Sequence, residues 1–158
     1  IDLDDPGFER TEYHPFVAYG RSKTANILFA VEFDRRHRAQ GIRATAVHPG
    51  GIDTELGRHM SAEDFDGLIQ SLDEQMKAAG QAGFRMKSVP EGAATSVWAA
   101  VVADAEAVGG RYCEDCNVAE VTVGEGLRDG VQAYALDPEN AMALWAKSEE
   151  LVGERFAG

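Results

Sequence analysis

At 158 residues and 17.0 kDa, the chain has the size of one domain or part of one. Hydrophobic residues at 44% and charged residues at 27% describe a globular core and exclude a disordered tail. A formal charge of -12 with a pI near 4.7 repels phosphate backbones, which argues against nucleic acid and anionic membranes as partners.

Residues 1–16 are acidic and broken by Pro6, Gly7 and Pro15, which predicts a loop. They begin without methionine and hold no basic stretch leading into an apolar one, so the expectation is a processed or truncated chain without a secretion signal. From Phe16 to Gln40 the pattern is helical: Ala25, Leu28, Phe29, Glu32 and Phe33 recur at three- and four-residue spacing, widened by Ile27 and Val31. Gly41 stands at the C-cap position. Ile42 to Val47 then alternates apolar and polar residues and predicts a strand, which "HPGG" ends. Residues 53–87 read as an irregular excursion, with Ser61 and Asp64 as a helix cap before "FDGLIQSLDEQM". A capped helix begins again at Ser88, with Pro90 in its first turn and "GAATSVWAAVVA" as its body. Arg111 to Cys113 predicts a short strand, the glycine-rich stretch 117–134 a loop, and 138–152 a closing helix with Asp137 as cap and Pro138 at its first position. No apolar run reaches the length of a bilayer span, and no internal repeat is visible.

Strands alternating with helices predict a parallel α/β sheet. Two strands cannot make one, because a parallel pair needs neighbours on each side. The expected fold is therefore part of a doubly wound sheet.

The stretch "AYGRSKTANILFAVEF" places Tyr19 and Lys23 four residues apart on one helical face. An ammonium held near a phenol favours the phenolate, and such a tyrosine can exchange a proton with an alcohol or carbonyl. A solvated pair at a helix start has the same spacing, so the spacing alone leaves both readings open.

The surroundings of that pair resemble the short-chain dehydrogenase/reductase family, in the branch with retinol dehydrogenase-like and WW-domain oxidoreductase-like enzymes. "AYGRSKTANILFAVEFDRR" is followed by "GIRATAVHPGGIDTEL", and "GAATSVWAA", "GGRYCEDCNVAE" and "YALDPENAMALWAKSEELVG" are similar to that branch's closing helix, strand and helix. The family's Tyr-x-x-x-Lys is matched by Tyr19 and Lys23, and its Pro-Gly strand end with a later threonine by Pro49, Gly50 and Thr54. The resemblance covers nearly the whole chain and is weakest over 57–87. It implies the carboxyl-terminal part of a Rossmann-type domain and an oxidoreductase interconverting an alcohol and a carbonyl with NAD or NADP. Tyr19 would be the general acid/base, and Lys23 would bind the nicotinamide ribose. Gly50, Gly51 and Ile52 would bring backbone to the nicotinamide, and Thr54 would add a hydroxyl. Residues 17–56 would form the active-site helix, strand and Pro-Gly loop, 57–87 a substrate lid, and 88–158 the closing elements. Met60, Phe65, Leu68 and Ile69 could line an apolar substrate pocket or simply pack as an amphipathic helix. The same resemblance implies a homodimer or homotetramer.

The glycine-rich first turn that seats a pyrophosphate is absent from these residues, and 1–18 hold no serine to match the family's catalytic one. The expectation is that the 158 residues alone are inactive. Cys113 and Cys116 form a Cys-x-x-Cys that could be a redox pair. Lacking a second such pair and with His14, His37, His48 and His59 scattered, it predicts packed thiols and no metal site. Two cysteines without a disulfide framework fit a cytoplasmic protein. His48 reads as a structural histidine beside the strand end, "RRHR" at 35–38 as a solvated basic face at a helix C-terminus, and Trp98 and Trp145 as core or subunit contacts. The alternative to an enzyme is a non-catalytic oligomerisation or interaction module of the same fold.

Overall fold

A computed structural model describes residues 1–52, 61–123 and 129–156, the side chain of Asp64 aside. Its first helix, α1, spans Pro15–His37 and runs into a single 3-10 turn, Arg38–Gln40, which Gly41 closes at φ 78. The strand β1 covers only Ala46–His48, shorter than the alternation of 42–47 predicts. The approach to it is tied elsewhere: Ala44 donates its N–H to Asp34 (3.0 Å), and the Thr45 hydroxyl donates to the Arg111 carbonyl (2.8 Å).

Further along come α2 (Ala62–Ala78), α3 (Val89–Val97) with a π-helical continuation over Trp98–Val102, and the short α4 (Ala105–Val108). Ser88 caps α3 with the reciprocal Glu91 bond of a capping box. Strand β2 (Tyr112–Glu114) pairs in parallel with β1, Val47 opposite Cys113, and antiparallel with β3 (Asn117–Val118). A second parallel pair joins β4 (Val121–Thr122) to β5 (Val131–Gln132). The predicted loop over 117–134 therefore holds three strands, each too short to show a period of two. The closing helix α5 (Pro138–Val152) starts on an Asp137 cap that accepts the Asn140 N–H at 2.8 Å, and Gly153 ends it at φ 70.

The core lies between α1 and α5. Trp145 stacks on Phe29 with ring centroids 5.7 Å apart, Phe33 packs at 6.5 Å, and the Arg36 guanidinium covers the indole at 4.4 Å. Trp145 is thus a core residue, and Trp98 is half-buried. The "RRHR" cluster is more than a solvated face. Arg35 and Arg36 both donate to the fully buried Glu32 carboxylate at 2.7 Å, and hydrogen bonds from Arg35 outweigh burial to hold it below the usual carboxylate range.

Two residues after Glu32, buried Asp34 accepts two guanidinium bonds from Arg43, at 2.9 and 3.1 Å. That pair fixes the end of α1 against the start of β1. The 1–14 loop is organised by Asp5, which accepts from the amides of Glu9, Arg10 and Thr11 and from the Thr11 hydroxyl. Burial works against ionisation there, but these four donors hold the carboxyl at about 2.

Candidate active site

The Asp34–Arg43 anchor sets the level of everything above it. Tyr19 lies roughly 22 Å up α1 from Asp34, at a helical rise per residue. The chain returns past α1 through the short strand Ala46–His48. Helix α1 packs on β1, and Tyr19 acts electrostatically on Tyr112 of β2. Ligands of open α/β sheets bind at the carboxyl end of the strands.

Tyr19 is 60% exposed and Lys23 is exposed beside it, with the Lys23 ammonium 5.1 Å from the centroid of the Tyr19 ring. Below them on the sheet, register pairs Ala46 with Tyr112 and His48 with Glu114, so these side chains share a face. The His48 and Tyr112 rings are stacked 6.3 Å apart. Burial pushes the Tyr112 phenol up to about 12, and the neighbouring Glu114 and Tyr19 add to the shift. Burial also lowers the His48 pKa; the Lys87 ammonium reinforces this, while Asp115 and Asp129 oppose it. The Glu114 carboxyl is raised by burial, although it accepts the Gly130 N–H at 2.6 Å.

These shifts give a test of the packing around Tyr112. In a spectrophotometric titration of phenolate absorbance, Tyr112 should ionise near 12. Its folded pKa lies above its unfolded value near ~10, so the folded state keeps a proton that the unfolded state loses. Stability should therefore fall as pH rises from about 10 towards about 12. Replacing Tyr112 by Phe should remove that part of the alkaline loss.

The strand-end loop has its own supports. Gly50 is at φ 87, and a Cβ there would lie 2.8 Å from the Lys87 side chain; a Cβ on Gly51 would meet the Phe84 ring at 2.5 Å. These glycines thus make room for Lys87 and Phe84. Ile52 forms an isolated parallel bridge with Lys87 and packs closely on Gly92 of α3. Pro49 is exposed at the end of β1. Thr54 and Met60 lie outside the described residues. Phe65, Leu68 and Ile69 of α2 are half-buried, as an amphipathic packing helix requires.

Neither cysteine is in a disulfide. Cys113 is buried with its sulfur 3.4 Å from the Thr45 hydroxyl, and burial pushes its thiol up, away from the reactive thiolate a redox pair needs. Lys87, Tyr112, Glu114 and Asp115 carry no motif, and their sequence separation hid them.

Two short parallel pairings flanked by helices make this part of a Rossmann-type α/β domain. The chain superposes over 100% of its length on 47% of a crystal structure of an uncharacterized protein from Mycobacterium paratuberculosis, with a TM-score of 0.60 at 29% identity. No family model matches it. It is 42% identical over 146 residues to a probable oxidoreductase of Streptomyces lividans, covering 92% of this chain and 48% of that one. It is 37% identical over 153 residues to a short-chain dehydrogenase/reductase of Penicillium roqueforti, covering 96% and 42%. With retinol dehydrogenase 14 of Homo sapiens it shares 34% identity over 153 residues, covering 97% and 40%. The chain spans about half the length of the curated relatives it matches. Over nearly all of its own length it is similar to the carboxyl-terminal portion of short-chain dehydrogenase/reductases.

Proposed function

We propose that the chain carries the proton-transfer part of a short-chain oxidoreductase that interconverts an alcohol and a carbonyl with NAD or NADP. The observation that carries this reading is the Tyr19–Lys23 pair, exposed together on the first turns of α1 with the ammonium 5.1 Å from the ring centroid. The names of the relatives support the reaction class.

The residues present fit a nicotinamide: an exposed phenol and ammonium stand on one helix turn, and the strand end's backbone bends through Gly50 at φ 87. A bound nicotinamide would supply hydride acceptance or donation. Tyr19 would give its proton to a carbonyl oxygen or take one from an alcohol. Lys23 would stabilise the phenolate across the ring face and donate to a ribose hydroxyl. Pro49, Gly50, Gly51, Ile52 and Thr54 would shape the loop facing the ring. Residues 57–87 would cover an apolar substrate, within a single partial domain over 1–158. Exposed Phe16, Val17 and Phe29 on α1 support pairing of two or four copies. Among the described residues no helix is long and apolar enough to cross a membrane, and the free thiols support a cytoplasmic setting.

The test is a steady-state assay of nicotinamide absorbance with a panel of apolar aldehydes and ketones, on a full-length protein holding this chain. The reading expects dinucleotide-dependent turnover there and none from the 158 residues alone. No turnover of any carbonyl or alcohol by the full-length protein would overturn it.

A further inference from the structure

Lys87 stands immediately before the Ser88 cap and makes three separate attachments at the strand end. Its N–H donates to the Gly51 carbonyl at 2.8 Å, beside the bridge to Ile52. Its methylenes and ammonium lie along Gly50, 2.8 Å from where a Cβ would stand. Its ammonium ends in an ion pair with Asp115.

Asp115 is not casually placed. It and Cys116 form the tight turn between β2 and β3, both left-handed, at φ 47 and 56. Residues with a Cβ adopt that conformation at a steric cost, and such outliers persist where their surroundings hold them. Here the Cys116 N–H donates to the hydroxyl of Thr95, buried on α3, at 3.2 Å, and the Asp115 carboxylate holds Lys87. An ion pair with one partner 71% exposed contributes little stability. What this pair does is fix a position. It joins the loop after β1, the segment before α3 and the turn after β2.

We infer that Lys87 is a positioning residue, which holds the Gly50–Ile52 loop through its backbone, its stem and Asp115 in the conformation that faces a bound nicotinamide. This rests on the proposed function for the ligand, and on the geometry alone for the latch.

The two parts are tested separately. In the full-length protein without ligand, hydrogen exchange at the Lys87 amide reads the latch. Asp115→Asn should speed it about tenfold and leave the amides of α5 unchanged. In the full-length protein, the same variant should raise the dinucleotide dissociation constant and KM about tenfold, with kcat within about twofold. Lys87→Met should behave alike, and Lys87→Arg should recover most of the affinity. Unchanged exchange in Asp115→Asn overturns the latch. Faster exchange with dinucleotide affinity equal to or tighter than wild type overturns the positioning role. Faster exchange in a protein whose wild type binds no dinucleotide overturns the proposed function and, with it, the ligand part of this inference.

Discussion

Tyr19→Phe in the full-length protein should lower kcat by about a thousandfold and leave dinucleotide affinity within about twofold, which stopped-flow turnover and calorimetry would read. The substitution removes one oxygen. Among the described residues that hydroxyl makes no hydrogen bond, and the ring is 60% exposed, so the helix has no reason to move. The phenylalanine ring still offers its face to the Lys23 ammonium, which sits 5.1 Å from the tyrosine centroid. What is lost is the group that would carry the proton. On the proposed function, Lys23→Ala should lower both kcat and affinity, because the ammonium would serve the phenolate and the ribose hydroxyl together. Equal losses for the two variants would mean that Tyr19 acts in binding.

Trp145→Ala should destabilise the chain by about 3–5 kcal/mol, read as a lower urea midpoint with an unchanged slope. Trp145 is 9% exposed and organises the contact of α5 with α1. Its ring is stacked on Phe29 at an interplanar angle of 10°, touches Phe33, and lies under Arg36. Its Nε1 donates to Glu149 at 2.9 Å, and the same Glu149 oxygen accepts the Phe156 N–H. The indole therefore ties the end of α1, the middle of α5 and the tail after it. Trp145→Phe keeps the stacking and loses the Glu149 bond, so its cost should be only about 1 kcal/mol. The damage matters for function because α1 also carries Tyr19.

The parts of this fold that local chemistry dictates were legible from the residues. Tyr19 and Lys23, the Ser88–Glu91 box, the Asp137 cap and Gly41 are patterns of a few neighbouring residues. Features built from distant residues were not. Glu32 shares the spacing of the apolar face and Asp34 does not, yet both carboxylates are buried, with Arg35, Arg36 and Arg43 folded onto them. The strand before "HPGG" shrinks because Asp34 captures Ala44. The 117–134 stretch pairs through two-residue strands, too short for alternation to register. Lys87 and Asp115 meet across 28 positions, and only a folded chain shows that the Gly50 gap is filled by a lysine. The Tyr19–Lys23 spacing was thus visible early, while the contacts around the strand end were not.

The most direct test of the account is a calorimetric titration with NADH and NADPH of the full-length protein, of its Tyr19→Phe and Lys23→Ala variants, and of the 158-residue chain. The account predicts saturable binding by the full-length protein and by Tyr19→Phe, weakened binding by Lys23→Ala, and none by the 158 residues alone. Binding that ignores Lys23, or that the 158-residue chain shows unaided, would contradict it.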